Sequence, residues 1–397
     1  MTEREVVVVG GGPAGSAVAV FLRQQGHDVL LLDAARFPRD KICGESVSPG
    51  AWPLLHRLQA DVGVRSLAPA AVRGMRLTAP DGTTFEGRYR DTPTAGFAVR
   101  RTRLDQALLE VARVAGVEVI EGARVTDLTF GRGNVTGVVV ATGEEERRLS
   151  CRLVVGADGR RSVVARRLGL LREHATLRRF AVRGHWQGME GLADVGEMHV
   201  ARGGYCGVAP LAASLANVAF VLDRRDMTSA AGDLEGFYRR EIERRWPRIA
   251  ERLHRARLVA APRAIGPLAL TARRLSAPGA VLVGDAAGFY DPFTGEGVTL
   301  ALRSAASAAD VAHGALGRGS AVDLRAYDRL RAAATRDKFR VNRALQVVVG
   351  WPDLANAVAR RLSRRPDLAD QLVGIAGDLT PARTALDLGF GWSLLRA

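Results

Sequence analysis

In the segment FPRDKICGESVSPGA, residues 37–51, an amine (Lys41), a thiol (Cys43) and a carboxylate (Glu45) occupy alternate positions, with Gly44 between the last two. Proline and glycine interrupt the segment too often for a helix or a long strand, so it reads as a polar loop. A neighbouring thiol and carboxylate can hold or relay a proton, and an amine can meet an anion. Gly44 permits close approach of backbone to a flat ring. Structural roles are equally open to these residues: Cys43 as a small buried hydrophobe, Glu45 as the cap of a helix starting near Pro49. A further candidate, Tyr205, lies in GEMHVARGGYCGVAPL, inside a stretch from Arg179 to Asp223 whose apolar residues alternate with the strand period. His185, Trp186 and His199 share that stretch and could face the same cavity, although single histidines and tryptophans in strands more often pack.

The elements that would position this loop begin at the N-terminus. REVVVVGGGPAGSAVAVFLRQQGHDVLLLDAAR reads as a buried parallel strand, a tight turn, a helix over Ala14–Gln25 and a second strand ending in Asp33. Gly10, Gly12 and Gly15 have the GxGxxG spacing, which allows a sharp turn, close approach to a pyrophosphate and tight packing of helix on strand. Phosphates would sit at the helix N-terminus. Asp33 stands about 20 residues on, where a carboxylate accepts the hydroxyls of an adenosine ribose. Both FAD and NAD present a free 2′-hydroxyl, so this fingerprint implies a dinucleotide without choosing between them.

Two later segments repeat the logic. LVVGADGRRSVVARRLG, residues 153–169, and APGAVLVGDAAGFYDPFTGEGVTLALRSA, residues 277–305, each place an aspartate and a glycine at a strand end before a helix. Backbone N–H groups and one carboxylate there can meet a ribityl chain and pyrophosphate. GRGNVTG lies between two strand-like runs and reads as a hairpin turn. No second fingerprint therefore announces a dedicated nicotinamide domain.

Composition removes several classes of function. The net charge of +15 comes from 57 basic against 42 acidic residues, and all the basic residues but Lys41 and Lys338 are arginine. They are dispersed and do not alternate with aromatics, which argues against a nucleic-acid partner. Cys43, Cys151 and Cys206 are far apart and lack CxxC spacing, which argues against a disulfide framework or a zinc site, leaves no metal expected, and fits a reducing cytoplasm. The apolar N-terminus is broken by glycines too early for a signal peptide or a membrane span. From about Val322 the pattern is helical, punctuated by Pro352, Pro366 and Pro381, and the arginines at 360, 361, 364 and 365 offer peripheral membrane contact.

The order GxGxxG, an arginine shortly before LDQALLEVA, a DG motif and a GD motif closely resembles the FAD-dependent group A flavoprotein monooxygenases, of the para-hydroxybenzoate hydroxylase fold. Geranylgeranyl reductases and flavin-dependent halogenases share that plan. The resemblance spans about residues 4–310. It implies that Gly10, Gly12, Pro13, Ala14 and Gly15 hold the FAD pyrophosphate, and that Asp33, with Arg36 nearby, holds the adenosine ribose. It also implies that Arg101 reaches FAD, that Asp158 serves FAD and reduced-nicotinamide handling, and that Gly284 and Asp285 take the ribityl and pyrophosphate portion. Pro292, Gly295 and Gly297 would line the isoalloxazine, with Lys41, Cys43, Gly44 and Glu45 near flavin and substrate. Asp33 stands where these flavoproteins more often carry glutamate.

The implied fold is α/β: a Rossmann-like FAD/NAD(P)-binding domain with an inserted antiparallel substrate sheet and a C-terminal helical region. Residues 1–75, 97–175 and 264–320 would form the FAD-binding domain, 76–96 and 176–263 the substrate domain, and 321–397 the helical region. The reductases carry an aromatic signature where this chain has YCGVAP, with Gly207 and Ala209 at the two bulky positions, which implies a roomier cavity. The halogenase tryptophan pair is missing and no lysine lies between Lys41 and Lys338, which disfavours halogenation. The leading expectation is an NAD(P)H-consuming monooxygenase that hydroxylates a hydrophobic aromatic or polyketide-type secondary metabolite through a flavin C4a-hydroperoxide, with NAD(P)H a transient reductant and Tyr205, Lys41, Cys43 and Glu45 the catalytic candidates. The alternatives are a geranylgeranyl-reductase-like reduction of isoprenoid C=C bonds, and a flavin-binding redox sensor without turnover. The oligomeric state is left open.

Overall fold

The valine run at the N-terminus is buried on both faces, and its consequences organise the molecule. The computed structural model describes residues 4–387 except 91, 93, 175–176 and 318–321. Strand β1 (Arg4–Val9) enters the core with Val6, Val7 and Val8 fully buried. Helix α1 (Pro13–Gln24) follows at once and β2 (Val29–Asp33) returns parallel to β1, pairing Val6 with Val29. Such an apolar run is what a parallel strand covered by helices on both faces requires.

The chain then leaves this layer to make a hairpin, β3 (Gly74–Thr78) and β4 (Thr84–Arg88). It returns through helix α2 (Arg101–Val114) to β5 (Glu118–Glu121), which pairs parallel to β2. A hairpin of β6 (Arg124–Gly131) and β7 (Asn134–Thr142) turns at Arg132 and Gly133, both with positive φ, as GRGNVTG implied. Strand β8 (Glu145–Gly156) then runs alongside β1, pairing Leu153 with Val6. The order therefore reverses between β1 and β8, and an open α/β sheet binds its ligand in the crevice beyond such a reversal.

The second sheet is built from β9 (Arg179–Gln187), β10 (Gly196–Ala201), β11 (Gly204–Pro210) and β12 (Leu215–Asp223), in the order β9-β12-β11-β10, and the β3–β4 hairpin extends its far edge. One pairing departs from the antiparallel expectation: β10 runs parallel to β3, aligning Glu197 with Arg76. The hairpin is supplied by a distant segment through a crossover, so no tight turn dictates its direction. The outer face of this sheet is covered by α3 (Leu234–Arg245) and α4 (Pro247–Leu253). Phe220 is fully buried there, its ring centroid 5.3 Å from Tyr238 and 5.6 Å from Trp246. The Tyr238 hydroxyl donates to the Val218 carbonyl at 2.8 Å, so its burial leaves no orphaned donor.

Strand β13 (Ala280–Leu282) completes the parallel layer beside β8, and α5 (Gly297–Leu316) packs across α1. Helices α6 (Arg325–Gly350), α7 (Pro352–Arg364) and α8 (Pro366–Ala376) close the molecule, with proline opening the last two as the sequence implied. The expected boundaries at 175/176 and 320/321 lie outside the described residues. Among the described residues no helix is long and apolar enough to cross a membrane.

Replacing Phe220 by alanine should cost about 3–5 kcal/mol, because it empties the centre of an aromatic stack. The half-exposed Phe130→Ala should change stability by no more than about 0.5 kcal/mol. Denaturant midpoints of the two variants, at unchanged slope, decide the matter.

Candidate functional site

The glycine turn after β1 has no room for a side chain. Gly10 has φ 103°, and a Cβ there would lie 2.6 Å from the Ala157 carbonyl oxygen; at Gly15 a Cβ would lie 1.7 Å from the Gly10 oxygen. Helix α1 therefore starts hard against the strand ends, with Gly12 at its N-cap and no side chain capping it, so its first N–H groups remain available. Gly284, also left-handed at φ 59°, brings the GD turn so close that a Cβ there would touch Ala14 at 2.7 Å. Three glycines thus let two strand ends and one helix start converge on one point.

Around that point opens a cavity of about 670 Å3, within the usual range for cofactor and ligand sites. Gly12, Pro13, Ala14, Lys41, Cys43, Gly44, Glu45, Arg101, Asp158, Tyr205, Gly284, Asp285, Pro292, Gly295 and Gly297 all stand on its wall. Gly10 and Gly15 lie beneath the wall as packing contacts. Asp33 and Arg36 are not on it. The Asp33 carboxylate accepts from Gly11 N at 2.7 Å and Ala35 N at 2.8 Å, which steadies the turn. Each oxygen retains a second acceptor position for a ribose hydroxyl. Arg36 is exposed and lies against Gly122 after β5; the arginine beside Asp33 is instead Arg39, 3.9 Å away.

Arg101 is locked before any ligand arrives. Its Nε and NH2 donate to the two Asp105 oxygens at 2.6 and 2.8 Å, and Arg39 adds a bond to Asp105 at 3.0 Å. Burial works to lower the Arg101 pKa, but the Asp105 carboxylate and the other groups around it together outweigh burial and give a net rise. A fixed cation on the wall suits a pyrophosphate. Lys41 answers differently: burial pushes its pKa down, Asp285 opposes that, and Arg101 and Arg39 add to the depression. Asp158 carries a buried oxygen, Oδ1, with no hydrogen-bond partner among the described residues, while Oδ2 accepts from Val163 N at 2.6 Å. Burial raises its pKa despite that bond and others. An orphaned buried acceptor facing a glycine-lined cradle is what a hydroxyl-rich chain would satisfy.

Glu45 shows a geometry that the loop sequence did not disclose. It is 1% exposed, in the left-handed conformation at φ 60°, with its carboxylate accepting from His185 Nε2 at 2.6 Å, Asn217 Nδ2 at 2.9 Å and Arg101 N at 2.9 Å. It caps α2 and not the helix near Pro49. Burial works to raise its pKa, but His185 and the other donors win and hold it below the usual carboxylate value. Asn217 also donates to the Cys43 carbonyl at 2.8 Å, and Glu45 N donates to Cys43 Sγ at 3.3 Å. His185 faces this network, backed by Arg183 at 2.9 Å. Trp186 packs outward on Tyr238, and His199 pairs with Glu197 at 2.9 Å.

Tyr205 donates to Asp291 Oδ1 at 2.5 Å, and Asp291 also accepts from Gln346 and Arg179 at 2.9 and 3.3 Å. Burial first, and then the Asp291 charge, push the Tyr205 pKa well up. Asp291, within DPFTGEG, and the holder Arg39, within the polar loop, are not singled out by the sequence reading, and the holder Asn217 belongs to no motif.

This wall is that of an FAD-dependent oxidoreductase, and the chain belongs to the FAD binding domain family, which it matches over residues 3–340. It is 29% identical over 395 residues to a menaquinone reductase of Mycolicibacterium smegmatis, covering 95% of this chain and 92% of that protein. Digeranylgeranylglycerophospholipid reductase 1 of Methanococcoides burtonii is 31% identical over 319 residues, 78% of this chain and 74% of that one. The flavin-dependent brominase Bmp2 shares the fold, with a TM-score of 0.83 at 19% identity over 95% of this chain and 94% of that one. With relatives of this kind over most of its length, the chain is an enzyme, and the sensor alternative falls away.

Because the folded pKa of Glu45 is depressed, its contribution is present above the ordinary carboxylate pKa and is lost as pH falls through the folded value. Glu45→Gln should therefore destabilise the protein by about 1–3 kcal/mol at pH 7. The difference from the parent protein should shrink below about pH 4.5, as read from urea midpoints along a pH series.

Proposed function

We propose that the enzyme reduces carbon–carbon double bonds in an apolar, isoprenoid-type chain, with NAD(P)H as a transient reductant. The observation that carries this reading is the shape of the space beyond the flavin loop. Beside the main cavity, with Met75, Met198 and Phe293 in both walls, lies a small annex of about 50 Å3 lined by Leu77, Val341, Leu345, Leu372, Val373 and Ile375. A slot walled by branched aliphatic side chains suits a methyl-branched chain more than a hydroxylated ring. Menaquinone and digeranylgeranylglycerophospholipid both carry isoprenoid chains, and both relatives are named as reductases. Gly207 and Ala209, on the same wall, widen the cavity and support the second reading, hydroxylation of an aromatic metabolite.

Residues of the glycine turn, with Arg101, Asp158 and Asp285, would hold FAD. When bound, FAD would take two electrons as hydride from NAD(P)H and deliver hydride to one alkene carbon. The second carbon then needs a proton. Cys43 Sγ is placed to give it, because Cys43 stands on the cavity wall, held there by the Glu45 N–H at 3.3 Å from sulfur and by the Asn217 bond to its carbonyl. Tyr205 already donates to Asp291 and instead fixes the wall beside the flavin loop. Apolar contacts in the annex would orient the chain and exclude water.

Dithionite-reduced protein, mixed anaerobically with a polyprenyl lipid, should regain its yellow colour without oxygen. Colour that returns only with oxygen would favour the hydroxylase instead. Cys43→Ser should slow that reoxidation by about 10²-fold or more while retaining FAD. Leu372→Trp, which narrows the annex, should lose long-chain substrates by roughly tenfold or more and spare short ones, as competition kinetics would record.

A further inference from the structure

Helix α6 turns one face away from the other described residues. On it Val347 is 52% exposed and the arginines at 329, 336, 340 and 343 are exposed, and Trp351, the extended residue that ends the helix, is 68% exposed. At 3.6 residues per turn the helical ones, with Phe339, fall within an arc of about 100°. Arg340 makes a surface pair with Asp337 at 3.3 Å, whereas Arg336 and Arg343 form no ion pair with a described residue. An exposed tryptophan and valine flanked by unpaired arginines is costly in water and well matched to a headgroup layer, where indole sits at the interface and guanidinium meets phosphate.

The same helix forms the rim of the cavity. Phe339 is 37% exposed and also lines the cavity, its ring centroid 6.4 Å from that of Tyr290, another wall residue. On the inner side of α6, Arg331, Lys338 and Asn342 line the cavity as well. One helix therefore presents an apolar, cationic face outward and a binding wall inward.

We propose that this face of α6 docks on an anionic phospholipid bilayer, so that a lipophilic substrate passes from the membrane into the cavity by way of Phe339 and Tyr290. The partner follows from charge complementarity: several arginines among exposed apolar groups, on a chain of net charge +15, meet an anionic surface better than a neutral or cationic one. The proposal rests on the reading of a lipophilic substrate, but docking itself can be measured with no substrate present.

The test is co-sedimentation of the FAD-loaded protein with vesicles of phosphatidylcholine mixed with phosphatidylglycerol, against phosphatidylcholine alone. The anionic vesicles should carry the protein down, less so as salt is raised. Arg336→Glu with Arg343→Glu should weaken binding by roughly tenfold or more. Arg147→Glu with Arg148→Glu, which changes net charge equally on the exposed β7–β8 hairpin, should stay within about twofold of the parent protein if docking is local to α6. Brominated lipid should quench tryptophan emission in the parent protein and much less in Trp351→Phe. Equal losses in the two charge-reversed pairs would overturn the proposal in favour of diffuse attraction, and so would an absence of vesicle binding. Vesicle binding that persists while a polyprenyl lipid fails to reoxidise the reduced protein would leave docking standing and refute the reductase reading alone.

Discussion

The Glu45 carboxylate is withdrawn from water and its backbone is held in a left-handed conformation that a side chain disfavours by about 1–2 kcal/mol. Leaving such a buried charge unpaired would cost several kcal/mol more, on the order of 3–5. Its three donors come from three separate places: the N-terminus of α2, strand β9 through His185, and strand β12 through Asn217. The polar loop can adopt its path only when the FAD layer and the second sheet meet at this carboxylate. In turn the carboxylate fixes α2, whose first residue, Arg101, faces the cavity already braced by Asp105 and Arg39. Cys43 is held in the same place by Asn217 and Glu45. Cofactor wall and substrate wall are thereby set against each other before either ligand binds.

From that junction the division of labour follows the two sheets. The parallel layer supplies backbone: glycine turns at Gly10 and Gly284 and an open helix start, all suited to phosphates and polyols. The second sheet and α6 to α8 supply side chains that are mostly apolar, broken by buried polar clusters such as Tyr205–Asp291 and the Lys338 amine between Glu296 and Asp378. Lys338, Glu296 and Thr294 line both cavity and annex, and the Lys338 amine is already paired with Glu296 and Asp378. An apolar chain lying against these residues would not strip an isolated charge of water.

Much of the FAD layer is legible in the sequence because its demands are local. A valine run, glycines at fixed spacing and an acid at a strand end each act within a few residues, and the DG and GD segments repeat the device. Arg101 is found through the family resemblance, by its place shortly before LDQALLEVA. What the sequence conceals depends on distant pairing. The bond from Asn217 to Cys43 and Glu45 spans more than 170 residues, and nothing about one asparagine in a strand marks it as a holder. The parallel pairing of β10 with β3 is hidden because an alternating pattern specifies a face and not a direction. The annex joins β3 to α6 and α8, which no periodicity brings together. Arg36 and Arg39 are both arginines in one loop, and only the fold selects the second.

The central claim is that this cavity adds hydrogen across a double bond of an apolar chain. The most direct measurement is the mass of the product formed from a polyprenyl lipid and NAD(P)H under 18O-labelled oxygen. The account predicts a gain of two hydrogens per turnover and no label. A product carrying one 18O atom would contradict it and make the enzyme a hydroxylase.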